Sequence, residues 1–113
     1  IGVLYYNGLG VEQNYQKAME WYQKSAAQNN SDAQNRIGFL YQHGQGVKQD
    51  YEKAMEWYQK SAAQNNSAAQ FNIGCLYYNG QGVKQDYGKA KEWCQKAADN
   101  GDLDAKEALK IFN

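Results

Sequence analysis

Apolar residues return along this chain in steps of three and four. In the middle of the sequence Ala33, Ile37, Leu40, Tyr41 and Gly44 fall on one side of a helical projection, the spacing of a stripe that a helix buries. This predicts a helix, here termed helix A. A second helix, B, is predicted after Asp50, a residue whose carboxylate suits an N-cap. Its stripe is Tyr51, Ala54, Met55, Tyr58 and Ala62, and the opposite face carries Glu52, Lys53, Glu56, Gln59 and Lys60. Glu56 and Lys60 stand in the favourable i, i+4 order, as do Glu20 with Lys24 and Glu92 with Lys96. Between A and B, Gly44 and Gly46 are expected at left-handed positions, the first closing helix A, with Val47 tucked beneath the turn. The polar run Gln64, Asn65, Asn66, Ser67 supplies the return turn and a cap for the next helix.

The pattern repeats every 36 residues, without a slip. Ile1, Ile37 and Ile73 share one place; so do Gly8, Gly44 and Gly80, Gly10, Gly46 and Gly82, Val11, Val47 and Val83, and Trp21, Trp57 and Trp93. Residues 15–31 match 51–67 except for Gln16 against Glu52, which points to recent duplication. Another glycine recurs inside helix A at Gly2, Gly38 and Gly74. Glycine there costs about 1 kcal/mol against alanine, so its repetition predicts that another helix backbone passes close there. Two helices joined by short loops cannot cover their own apolar faces, and such hairpins must stack. The expected organisation is all-α, one solenoid over 1–113 with repeats 1–36, 37–72 and 73–108, the first helix truncated, and a terminal capping helix at about 103–113. In that last helix Lys110 stands where helix A otherwise has glycine, so a solvent-facing cap is expected.

Composition narrows the function. Twelve Lys and Arg balance twelve Asp and Glu, and a pI near 6.8 gives no bulk charge for holding nucleic acid. A mean hydropathy of −0.92 and the lack of a long apolar run argue against membrane insertion. Apolar residues at 42% and aromatics at 14% are enough for a core. Two cysteines do not describe a disulfide framework, and the absence of proline agrees with helix. The chain opens on Ile1 with no leader-like segment, which leads to the expectation of a piece of a longer protein.

Ala33, Ile37, Gly38, Leu40, Tyr41, Gly44, Gly46, Val47, Asp50, Lys53, Ala54, Trp57, Tyr58, Lys60 and Ala62, repeated as Ala69, Ile73, Gly74, Leu76, Tyr77, Gly80, Gly82, Val83, Asp86, Lys89, Ala90 and Trp93, resemble the motif of the Sel-one-like repeat family, relatives of the tetratricopeptide repeats. The resemblance covers essentially the whole chain. It implies a right-handed superhelix of helix-turn-helix repeats, a non-catalytic scaffold or adaptor that binds a protein or peptide. Some secreted members staple each repeat with a disulfide between the end of helix B and the next helix A. The matching positions here are Ala26 with Gln34 and Ala62 with Gln70. That absent staple favours an intracellular setting.

The resemblance also implies that helix A lines the concave side. The residues opposite the buried stripe would then form a groove: Val3 and Tyr6 in the first repeat, Asn35, Phe39, Gln42 and His43 in the second, Phe71, Cys75 and Tyr78 in the third. Aromatic side chains at such places act as binding anchors, or curvature packs them against the neighbouring helix A. These positions differ between repeats whereas the core positions do not, which favours recognition. The tryptophans repeat strictly and read as packing between repeats. Each Gly-x-Gly follows a helix, not a strand, and reads as loop geometry, not a phosphate cradle. Lone His43 with Cys75 and Cys94 is too sparse for a metal site, and no cofactor or catalytic set is expected. Cys94 replaces the buried Tyr22 and Tyr58 and is expected to leave space in the core. Alternatives to the scaffold reading are a structural spacer within a larger protein, or self-association through an apolar end at Val3, Leu4 and Leu9.

Overall fold

The structure, a computed structural model, describes residues 14–112. Its helices are α1 (Tyr15–Ala26), α2 (Ser31–His43), α3 (Tyr51–Ala62), α4 (Ser67–Asn79), α5 (Tyr87–Asp99) and α6 (Leu103–Leu109), followed by a 3₁₀ turn, Lys110–Phe112. No strand occurs among the described residues. Helices α1, α3 and α5 are the B helices of the sequence pattern, and α2 and α4 are A helices. They form a helical solenoid measuring 43 × 26 × 24 Å.

Each helix begins where a short polar side chain takes up an orphan N–H. Asn14, Asp50 and Asp86 accept from the backbone of Lys17, Lys53 and Lys89 at 2.9–3.0 Å. Asn30, Asn66 and Asp102 do the same for Ala33, Ala69 and Ala105. Helices α2 and α4 end on Gly44 (φ 65°) and Gly80 (φ 67°), whose N–H groups return to the carbonyls of Leu40 and Leu76. The second loop glycine is required twice over. Gly46 and Gly82 have φ of 75°, and a Cβ there would lie 2.7 or 2.8 Å from the backbone of Tyr15 or Tyr51. Each A–B loop therefore rests on the first residue of the helix B one repeat earlier. The return turns use Asn29 (φ 65°), Asn65 (φ 62°) and Gly101 (φ 96°).

The core follows the expected stripes. Ala18, Met19, Tyr22, Ala26, Ala33, Ile37 and Leu40 form one buried cluster, with Val47 and Trp57 packed against it. Ala54, Met55, Tyr58, Ala62, Ala69, Ile73 and Leu76 form the next, with Val83 and Trp93 against it. Trp57 and Trp93 thus each belong to one repeat and cover the core of the repeat before, the inter-repeat role their repetition suggested, whereas Trp21 is 39% exposed. Burying one Ile or Leu fully is worth about 1.5–3 kcal/mol. Gly44, included in the predicted stripe, is instead exposed at the helix end.

Gly38 and Gly74 face the expected helix backbone, with a side chain lying nearer still; Gly2 lies outside the described residues. A Cβ on Gly38 would sit 2.6 Å from two ring carbons of Tyr58 and 3.2 Å from the Ala54 carbonyl. On Gly74 it would meet Cys94 Sγ at 2.9 Å and the Ala90 carbonyl at 3.1 Å. The helix that passes close is the helix B of the same hairpin.

Polar side chains join the turns from repeat to repeat. Gln45 and Gln81 donate to the hydroxyls of Tyr15 and Tyr51 at 3.4 and 3.2 Å. At the return turns, Gln64 Nε2 donates to Gln34 Oε1 and Asn100 Nδ2 to Gln70 Oε1, both at 2.8 Å. Gln34 and Gln70 are buried. Amide hydrogen bonds therefore satisfy the buried side chains of Gln34 and Gln70.

The expected Glu–Lys pairs do not close as ion pairs. Lys24, Lys60 and Lys96 instead lie 4.8, 4.3 and 4.5 Å from the ring centres of Trp21, Trp57 and Trp93. An exposed ion pair contributes little, whereas the indole face attracts the ammonium and covers its alkyl stem. At the C-terminal end Ala105 of α6 joins Ala97 and Ala98 in a small buried cluster, with Phe71 and Leu109 packed on it. Lys110 is exposed and pairs with Glu107 at 3.2 Å.

Candidate partner-binding face

The open flanks of α2 and α4 lie side by side, joined by a hydrogen bond from Asn72 Nδ2 to Asn35 Oδ1 at 3.0 Å. Asn35 is half-buried by that contact. One turn on, the half-buried Phe39 ring lies 4.2 Å from the ring of exposed His43. Phe39 and Asn35 border a cleft of about 190 Å³ with Tyr22, Arg36 and Leu40. Gln42 faces a different way. Its side-chain carbonyl accepts the hydroxyl of buried Tyr58 at 2.5 Å, so it serves the α2–α3 packing.

In the third repeat Phe71, Cys75 and Tyr78 come together around a second cavity of about 200 Å³, which the C-terminal turn partly closes through Ile111 and Phe112. Tyr78 is 38% exposed and leans on Tyr87 and Phe112, with ring centres 5.1 and 5.8 Å away. Phe71 is held from below by Ala97, Ala98 and Ala105. Val3 and Tyr6, and the apolar end at Val3, Leu4 and Leu9, lie outside the described residues.

The repeat pattern now has a structure beneath it, and its sequence match is specific: the Sel1 repeat matches residues 1–30, 31–66 and 67–102. The chain belongs to the Sel1 repeat family. A Sel1 repeat protein from Oxalobacter formigenes superposes with a TM-score of 0.91 at 40% identity, over 98% of this chain and 45% of that one. The protective antigen c5321 of uropathogenic Escherichia coli, which displays the same repeat fold, gives 0.86 at 38% identity over 92% of this chain and 22% of that one. Helicobacter pylori cysteine rich protein B gives 0.78 at 30% identity, over 86% and 74%. The chain therefore spans less than half the length of the first two. No curated protein matches significantly in sequence. Sel1 repeat proteins are generally protein-interaction scaffolds, typically without enzymatic activity.

Burial pushes the Cys75 thiol up to about 11, with Cys94, Asp102 and Asp104 adding to the rise. Cys94 is raised by burial and then by Asp102. Both are free thiols, held neutral near pH 7 and weak as nucleophiles. Burial also raises Tyr22, against the opposing effect of Arg36. Among the described residues no three His, Cys, Asp or Glu converge on a metal-sized site, and no helix is long and apolar enough to cross a membrane.

Three features of the surface escaped the sequence pattern. Arg36, 6.0 Å from the Tyr22 ring centre, borders the cleft beside Phe39. Asn72 joins the two A helices. A wider groove of about 610 Å³ runs outside, between α3 and α5, past Gln59, Gln70, Trp93, Lys96 and Asn100. The repeated Trp and Lys three residues apart were its visible signal.

Proposed function

We propose that this Sel1 repeat segment is a non-catalytic scaffold that binds a peptide or protein along the helix A face. The observation that carries the reading is the contrast on adjacent A helices. Asn35, Phe39 and His43 in α2 become Phe71, Cys75 and Asn79 in α4, while Ala33, Ile37 and Leu40 recur as Ala69, Ile73 and Leu76 in the core. Packing fixes one set of positions, and the other is free to specialise.

Aromatic rings on this face, half-buried and flanked by amides and one guanidinium, supply anchors with polar edges. The groove outside α3 and α5 is larger, but several of its polar groups are already engaged: Lys96 lies over Trp93, and Asn100 is bonded to Gln70. Selection of random peptides against the whole chain tests the reading. The expected result is a set of binders whose affinity falls at least tenfold in Phe39→Ala combined with Tyr78→Ala, with helicity unchanged. Binders indifferent to the double substitution would refute it, and a chain that selects none would favour a spacer.

A further inference from the structure

The cavity in the third repeat has a specific origin. In the second repeat the ring of Tyr58 is fully buried and packs on Gly38, with two ring carbons 2.6 Å from where a Cβ would be. In the third repeat the glycine is kept as Gly74, but the tyrosine is replaced by Cys94. The space a ring would fill is open instead. Phe71, Cys75, Cys94, Ala108, Ile111 and Phe112 line it, and the lining is mostly carbon and sulfur. A cavity of about 150 Å³ with apolar walls holds benzene in other proteins, so about 200 Å³ accommodates one ring.

The polar partner of the missing phenol has gone too. Tyr58 donates its hydroxyl to Gln42, and the equivalent of Gln42 in the third repeat is Tyr78, whose ring turns to Tyr87 and Phe112. A hydroxyl carried into this cavity would lose that acceptor and find Asn79 and the Tyr78 hydroxyl as the polar side-chain groups of a lining otherwise of carbon and sulfur, and a buried group that misses its partner is costly. Three of the residues around the cavity, Phe71, Cys75 and Tyr78, belong to the helix A face.

We propose that this cavity is the seat of a single apolar aromatic ring, a phenylalanine side chain presented by the partner, which replaces from outside the tyrosine lost at position 94. The ring enters between α4 and the C-terminal turn and rests on Gly74, against the two sulfur atoms, where thiols make favourable soft contacts. The source of the ring rests on the partner-binding reading above; the fit of a ring to the cavity does not.

The test is an NMR titration of the whole chain with toluene, and separately with the N-acetyl amides of phenylalanine and tyrosine. Toluene is expected to shift the methyl groups of Ala108 and Ile111. Its affinity should fall at least tenfold in Cys94→Tyr, which restores the ring of the other repeats, and in Cys75→Leu, which fills the cavity from its mouth. The phenylalanine amide should bind several-fold more tightly than the tyrosine amide. Unmoved methyls at saturating toluene, or equal binding in folded Cys94→Tyr and Cys75→Leu, would overturn the ring seat. Toluene binding without phenylalanine-amide binding would overturn the peptide source alone. Toluene needs no partner, so loss of the broader reading is distinguishable from loss of this one.

Discussion

At the scale of single residues, the account turns on what lies against each inner glycine. Gly38→Ala gains about 1 kcal/mol of helix propensity, but its methyl would meet a buried ring whose hydroxyl is tied to Gln42. A net loss of about 1–3 kcal/mol is expected from overpacking, read from the urea midpoint. A larger side chain, as in Gly38→Leu, should unfold the array, and unchanged melting would reject the close approach. Thiol reactivity gives a second check. The rise of Cys75 to about 11 lowers its thiolate fraction at pH 8 by about a hundredfold against an ordinary thiol. Iodoacetamide should therefore modify it far more slowly in the folded chain than in urea. The sign follows for stability: between pH 9 and 11 the unfolded thiol ionises while the folded one does not, so this contribution falls as pH rises through that window.

The glycines were legible because a repeated penalty needs a repeated cause. The identity of the ring against Gly38 was not, since the spacing of one helix says nothing about the register of the next. For the same reason a projection placed Gln42 with Phe39 and His43, although α3 covers that flank. It paired Glu56 with Lys60 as well, although the nearer indole gives the ammonium a better resting place.

At the scale of elements, capping and turn stitching set the boundaries. Asp50→Ala removes one N-cap and should cost about 1 kcal/mol. Asn66→Ala should cost more. Its carbonyl caps α4 while its amide donates to Asp32 at 2.8 Å and to Ser31 at 3.3 Å, one repeat back. Equal urea midpoints for the two variants would contradict the idea that the turns bind neighbouring repeats together. The caps could be read from the sequence, because Asp and Asn precede each periodic run. The ladder between turns could not, because its donors and acceptors are 30–35 residues apart.

At the scale of the whole molecule, stability comes from stacking, and so does the proposed binding face. Removing residues 103–113 would uncover Phe71, Ala97 and Ala98, and the Tm should fall by at least about 5 °C. The stack itself was legible from the 36-residue period. The closing of the third-repeat cavity was not, because it depends on the chain turning back through Ile111 and Phe112. With positive and negative charges in balance, partner affinity should change less than about threefold between low and high salt. The most direct test is chemical-shift mapping of a selected peptide on the labelled chain. The account predicts perturbations along Asn35, Phe39, His43, Phe71, Cys75 and Tyr78; perturbations confined to Gln59, Trp93, Lys96 and Asn100 on the outer groove would contradict it.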